Sequence, residues 1–448
     1  MALYSIPKEG PNMKTIKSAL AIGSLLITNA VVAVDLTADF RTGYGTSDNI
    51  ARTSIGEIDE DFAFVGTTIL MSEQTARFGA NVRLSADYLD YLDDTFEDQV
   101  IGGFLADINY AFIPERFTLR LTNSYGQRLL DPLARPSPGN RENVNNFTTS
   151  FDFRQPLGIR NFLGATARYR NVMLEESSQF DSERVTGLFR IGRQITSDTT
   201  VSLNVSKEQT SFDNGGLSDD FDVTNAFIRY EVASVRNLIT ADVGYSDLET
   251  DAGEGGTGYL VQMAWTRTIS ESSTFMSGVG SRYSDQGDIF AFSQDISTDI
   301  GETVDTDGDD SPFRNNYLFA RYDATMSLTR INLLALWSQD EFELGGFGDR
   351  DTLAMSALIR RDLTAKTFAS VGARYSKRDF KFIDQRDDQI DLIASVGYRL
   401  TRAFDLSLSF LRVDRTSNIP DQEFVENRVV LQLNFTPSWG RQTLATGN

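Results

Sequence analysis

Neither cysteine nor histidine occurs anywhere in the 448 residues. Without cysteine there are no disulfides, no thiolate metal sites and no thiol nucleophile. Without histidine the usual general base near neutral pH is gone, and every Ser-His arrangement goes with it. No paired-carboxylate, phosphate-loop or glycine-rich nucleotide motif stands out, so the chain reads as a non-enzyme with no catalytic residue. Basic residues are also scarce. Lys and Arg number 42 against 63 Asp and Glu, a formal charge of −21. Such a chain repels nucleic acid, and no basic stripe offsets that. Finally, no apolar run after Ala33 reaches the ~20 residues that a membrane-spanning helix needs.

What is present argues against an acidic disordered chain: 31 Phe, 15 Tyr and 3 Trp demand an ordered environment. Near the start, Lys14 and Lys17 precede an apolar stretch from Ala19 to Ile27. Val31-Val32-Ala33 then offers small residues before Val34. That order is the layout of a cleaved secretory signal over 13–33, with residues 1–12 as an extension in front of it. The expected domains are therefore 1–33 (extension and signal), 34–435 (folded body) and 436–448 (periplasmic tail).

From residue 34 onward the chain shows stretches of about ten residues in strict alternation, separated by turn residues. In 390–400, Ile390, Leu392, Ala394, Val396, Tyr398 and Leu400 share one face, opposite Asp391, Ser395, Gly397 and Arg399. In 78–88, Phe78, Ala80, Val82, Leu84, Ala86 and Tyr88 oppose Gly79, Asn81, Arg83, Ser85 and Asp87. A soluble sandwich alternates too, but two features favour a membrane barrel. Short connections (114–116, 197–198, 329–330, 364–366) alternate with long ones (46–61, 130–145, 212–220, 285–313). Tyrosines also fall on the apolar face at strand ends: Tyr44, Tyr88, Tyr169, Tyr245, Tyr283 and Tyr375 before long loops, Tyr110, Tyr230 and Tyr398 before short turns. The expected fold is all-β: a transmembrane, antiparallel, up-and-down β-barrel of about 20 strands (18–22), running from 35–46 to 424–435. It would sit in the bacterial outer membrane, among lipid and lipopolysaccharide, after export through the general secretory pathway.

Apolar side chains facing lipid leave the other face for the lumen. An arginine or lysine in the lipid at mid-depth would cost ~2–4 kcal/mol. The inward face then carries Arg41, Arg83, Arg120, Arg154, Arg168, Arg190, Arg229, Arg282, Arg321, Arg360, Arg374 and Arg399. With them come Asp39, Asp87, Asp107, Asp152, Asp242, Asp323, Asp391 and Asp405. Two readings compete: mutually compensating pairs that stiffen the wall, and a path for a polar solute along arginine forks. Small neighbours (Ser85, Thr166, Gly280, Gly372) suggest room beside Arg83, Arg168, Arg282 and Arg374.

Loop 285–313 is the acidic extreme, with nine Asp or Glu and no Lys or Arg. Asp305, Asp307 and Asp309 alternate around Gly308 as in loops that hold Ca²⁺. The full EF-hand pattern is missing, and a solvated acidic loop is the alternative. No other cofactor is expected. Phe290 and Phe292 in that loop either fold inward or pack at the rim.

The N-terminal third carries a resemblance. It runs through Gly45-Thr46-Ser47-Asp48-Asn49-Ile50, Tyr88-Leu89-Asp90-Tyr91, Asp107-Ile108-Asn109-Tyr110, Leu121 to Gln127, Asp131-Pro132 and Asn143 to Phe147. Together these resemble the β-barrel porin family found with exopolysaccharide and exosortase (PEP-CTERM) gene clusters, over residues 34–212. The resemblance implies an outer-membrane barrel serving surface-polysaccharide export, with periplasmic export proteins as partners. It brings no catalytic residues. The last strand, 429–435, resembles the C-terminal signal read by the barrel-assembly machinery, although Phe435 is followed by further residues. A solute-uptake porin and a structural or adhesive barrel are the alternatives.

Overall fold

The computed structural model describes residues 34–213, 220–253, 255–285, 287–288, 290, 311–342 and 349–437. The signal at 13–33, the carboxylates Asp305, Asp307 and Asp309, and most of the C-terminal tail lie outside the described residues. So do Ala291 and Phe292.

Twenty strands follow one another: β1 (Asp35–Ser47), β2 (Glu60–Gln74), β3 (Phe78–Tyr91), β4 (Gln99–Ile113), β5 (Phe117–Arg128), β6 (Glu142–Leu157) and β7 (Asn161–Leu174). Next come β8 (Ser182–Gln194), β9 (Thr199–Phe212), β10 (Phe221–Ala233), β11 (Asn237–Thr250), β12 (Gly255–Ser270), β13 (Ser273–Ser284) and β14 (Phe313–Met326). The last six are β15 (Thr329–Phe342), β16 (Arg350–Asp362), β17 (Thr367–Phe380), β18 (Gln385–Arg399), β19 (Phe404–Ser417) and β20 (Phe424–Phe435). Each pairs antiparallel with its sequence neighbours, and β1 pairs with β20 from Phe40↔Phe435 to Ser47↔Arg428. That last ladder closes the barrel, so no strand edge is left to be satisfied in lipid.

Facing follows from the period of two. On β18, Ile390, Leu392, Val396 and Tyr398 are 43–52 % exposed in the isolated chain, and that surface is the lipid contact. Asp391 and Ser395 turn inward, where Ser395 shares a hydrogen bond with Ser370 of β17. The strands have 12 to 16 residues, more than the 9–11 that cross the hydrocarbon. The surplus lifts their outer ends clear of the lipid.

Those outer ends are where side chains pack. Val144, Val172, Leu174 and Phe290 form one buried cluster, and Ile50, Phe62 and Tyr91 form another. Phe290 thus folds inward to the β6–β7 wall. Tyr283, expected in the outer aromatic girdle, is instead buried with Phe221, Val223 and Leu248, under the Arg314 guanidinium. Other girdle positions are as expected: Tyr44, Tyr88, Tyr245, Tyr230 and Tyr398 are 43–49 % exposed.

Two boundaries differ from the sequence reading. β6 begins at Glu142, not 146, because the Arg128–Glu142 ion pair carries the β5–β6 ladder outward to those two residues. The β14–β15 turn is Ser327-Leu328, and Thr329 and Arg330 already pair with Met326 and Thr325.

Facing makes a direct prediction. Ala394→Arg places a guanidinium in lipid at a cost of ~2–4 kcal/mol, while Ser395→Arg places one in the lumen. The first variant should fail to reach the heat-modifiable folded form in the outer membrane, and the second should fold. Equal folding of both would overturn the assignment.

Candidate functional site: the inner wall and its outer mouth

The alternation places all twelve arginines named from the sequence on the inner face, and the structure divides them by partner. Arg41 pairs with Asp87 across the whole width of β2, passing over Gly66, where a Cβ would strike the Asp87 carboxylate. Arg120 and Arg229 make two-pronged pairs, to Asp107 at 3.0 and 2.6 Å and to Asp242 at 2.7 and 2.8 Å. Arg321 pairs with Asp323 at 2.6 Å, and Asp323 also accepts from Asn332. Arg399 pairs with Asp362 at 2.7 Å. Asp391 stands opposite Arg374 in register and accepts from Gln389.

Other arginines lie flat on apolar groups. Arg154 stacks on Phe162 at 4.1 Å and Arg360 on Phe368 at 4.0 Å, contacts of cation–π type. Arg190 lies across Gly164, where any side chain would collide with it. The room expected beside two glycines is filled: the Tyr317 ring covers Gly280, next to Arg282, while Leu358 and Ile393 converge over Gly372. Much of the inner charge is thus the compensated wall of the first reading.

Open space remains on the inner face of β1 to β7. A cavity of about 730 Å³ runs from Asp35 and Ser72, at the ends bearing the short turns, up to Arg170. Arg83, Arg120 and Arg168 line it with Asp107, and the hydroxyls of Thr122, Ser124, Thr148 and Ser150 stand between them. Arg168 is exposed to this space.

Above the cavity the mouth narrows. Described residues after β13 reach β6 to β8: Asp285 pairs with Arg184, Asp288 with Arg170, and Asn146 donates to the Gly287 carbonyl at 3.0 Å. A second segment, 129–141, crosses on the other side. Its carbonyls at Leu133, Pro136 and Pro138 accept from Gln385 (3.0 Å), Arg52 (2.7 Å) and Gln99 (3.0 Å), on three separate elements. Below these straps sit dry ion pairs: Arg128–Glu142 at 2.7 Å, Arg350–Asp340 at 3.0 Å and Arg415–Asp387 at 2.7 Å. Glu426 is held by Arg52, Arg428 and Ser47. Nearby, burial pulls the Arg141 guanidinium down to about 10, with Arg52 acting in the same direction.

These mouth residues were not singled out from the sequence. Inward parity was available for Arg170 and Arg184, two and sixteen residues beyond Arg168, but nothing local distinguishes a buried strand end from a wet one. Among the described residues no cluster of Asp and Glu is arranged to hold a metal.

The two kinds of pair should differ in energy. Asp387→Ala takes a carboxylate away from the fully buried Arg415 and should cost about 3–5 kcal/mol. Asp323→Ala breaks a partly hydrated pair and should cost about 1 kcal/mol or less. Urea unfolding in lipid vesicles measures both; equal losses would contradict the dry mouth.

No curated protein matches the chain. Among solved structures, it is similar to the FrpB iron transporter of Neisseria meningitidis (F5-1 variant, apoprotein form), at 10 % identity and a TM-score of 0.40. The alignment covers 90 % of this chain and 81 % of that one. It is also similar to OpdQ of Pseudomonas aeruginosa, at 9 % identity and a TM-score of 0.36, over 91 % and 100 % of the two chains. The siderophore receptor PirA of Pseudomonas aeruginosa gives 9 % and 0.37, over 89 % and 80 %. Residues 324–436 match the family model described as "Putative beta-barrel porin 2". That match falls on the final strands, not on the N-terminal third where the resemblance was read. Over those residues, about a quarter of the chain, the protein is similar to that porin family, and the closed barrel of twenty strands is a porin-like fold of the outer-membrane kind.

Proposed function

We propose that the barrel is a passage for polar, hydroxylated solutes across the outer membrane, and that its physiological cargo is a surface polysaccharide on its way out. The observation that carries this reading is the cavity along β1 to β7, where arginines and hydroxyls meet open space. A circumference of twenty strands lies between that of 16–18-stranded porins, which hold an aqueous channel, and that of 22-stranded transporters. Paired charges elsewhere keep the wall wet without strong ion selectivity.

The straps refine the reading. With 129–141 on one side of the mouth and Asp285, Gly287, Asp288 and Phe290 on the other, small solutes have a narrow way through, and a polymer needs the 129–141 strap to swing aside. Three side chains hold segment 129–141 by its backbone carbonyls. Such holds are easily exchanged for water, each worth ~0.5–1.5 kcal/mol. Periplasmic export proteins would meet the short-turn end, and the β20 strand, whose Phe435 stacks on Phe404 and Phe40, would serve the barrel-assembly machinery.

Planar-bilayer recording tests the passage. The wild type should conduct, and conductance should stay flat between about pH 6 and 8 because no histidine titrates there. Gln385→Ala with Gln99→Ala removes two of these carbonyl contacts and should raise mean conductance. A barrel that never conducts, in either form, would refute the passage.

A further inference from the structure

The cavity on β1 to β7 combines three surfaces that one class of molecule requires at once. Arg83 stands in register between Leu70 of β2 and Leu105 of β4, so its guanidinium is flanked by two aliphatic side chains on the inner face. One strand further on, Leu105 pairs with Ser124, which pairs with Asn146. The adjacent rows supply Thr122 opposite Thr148, and Ser150 opposite Arg168. The floor thus alternates aliphatic, hydroxyl and cationic groups.

Charge sets this place apart from its surroundings. The cavity is lined by four arginines (Arg83, Arg120, Arg168, Arg170) and two aspartates (Asp35, Asp107), within a chain of formal charge −21. Asp107 is spent on Arg120, and Arg170 on Asp288. Arg168 remains exposed in the cavity, beside hydroxyls that both donate and accept. The volume, about 730 Å³, lies in the ~300–1,000 Å³ range of pockets that enclose whole ligands. It suits a short run of sugar rings better than a single ring.

We propose that this cavity is a binding subsite for an acidic oligosaccharide, in which Arg83 and Arg168 receive the carboxylates. The Ser and Thr hydroxyls exchange hydrogen bonds with the ring hydroxyls, and Leu70 and Leu105 take the C–H faces. Arginine fits the role because its planar fork matches a carboxylate in two-pronged fashion, which lysine does not. The subsite deepens the passage reading above and names its substrate class. Its lower end, at Asp35 and Ser72, lies at the short-turn side, and Arg170 with Asp288 forms its roof, so the ligand enters from the periplasm.

Calorimetry on the full barrel in detergent micelles tests the subsite, with trigalacturonate as the acidic probe and maltotriose as the neutral one. Trigalacturonate should bind more tightly than maltotriose, and less tightly as salt rises. Arg83→Gln with Arg168→Gln should weaken trigalacturonate at least about tenfold, the scale of one lost charge-assisted contact. Maltotriose binding should be unchanged. Arg168→Lys, which keeps the charge and loses the fork, should give an intermediate affinity and serves if the double variant does not fold. Equal affinity for the two sugars, or undiminished trigalacturonate binding in the variants, overturns the proposal. Because calorimetry needs no current, binding without conduction would refute the passage and leave the subsite. Conduction without binding would do the reverse.

Discussion

The rest of the structure depends on one constraint: each strand must satisfy its backbone polar groups laterally, and a closed ring does so without an edge. The ladder between β1 and β20 completes that ring. Once it is closed, alternate residues have only two destinations. An arginine sent to the wrong one costs ~2–4 kcal/mol at mid-depth. Residues on one side of the register therefore become hydrocarbon contacts, and those on the other become a confined polar wall. The charge pattern of the interior is a consequence of closure rather than a separate feature.

Confinement then sorts the interior charges by depth. From mid-barrel to the short-turn end, Arg41–Asp87, Arg120–Asp107 and Arg321–Asp323 remain partly hydrated, with side chains 20–55 % exposed. Such pairs position each other cheaply and can be exchanged for solute contacts. At the outer ends the strands outrun the membrane, phenylalanines fill the interior, and the pairs are dry: Arg415–Asp387 has side chains 0 % and 1 % exposed. Separating a dry pair is costly, so those charges hold straps and strand ends in place. The same Arg–Asp chemistry thus shapes a path in one layer and locks a frame in another.

Fold was legible from the sequence because its signal is local and repeated. Alternation such as that of 390–400 recurs often enough to give twenty strands, and most ends lie within two or three residues of the observed ones. Misplaced features were those set by contacts from far along the chain. Glu142 extends β6 because Arg128 waits opposite, and Tyr283 leaves the girdle because Leu248 and Phe221 offer a buried place. The inward facing of Arg83 and Arg168 was readable from parity. That they line a cavity was not, since it depends on which inner rows are empty. Glycine proved a poor guide to space: Gly280 and Gly372 lie under neighbouring side chains. The straps were beyond reach as well, because Gln385 and Leu133 stand 252 residues apart.

One strand holds every part of this account. β7 carries lipid-facing residues at odd positions, the cavity arginines at 168 and 170, and, at Val172 and Leu174, the apolar contact with Phe290. The chain has no native cysteine, so single cysteines can be introduced in turn from 161 to 174 and challenged with a water-soluble thiol reagent in lipid vesicles. The account predicts rapid labelling at 166, 168 and 170, protection at the alternating positions 165 and 167, and protection again at 172 and 174 beneath the strap. Labelling of 165 and 167, or no difference between 168 and 172, would contradict it.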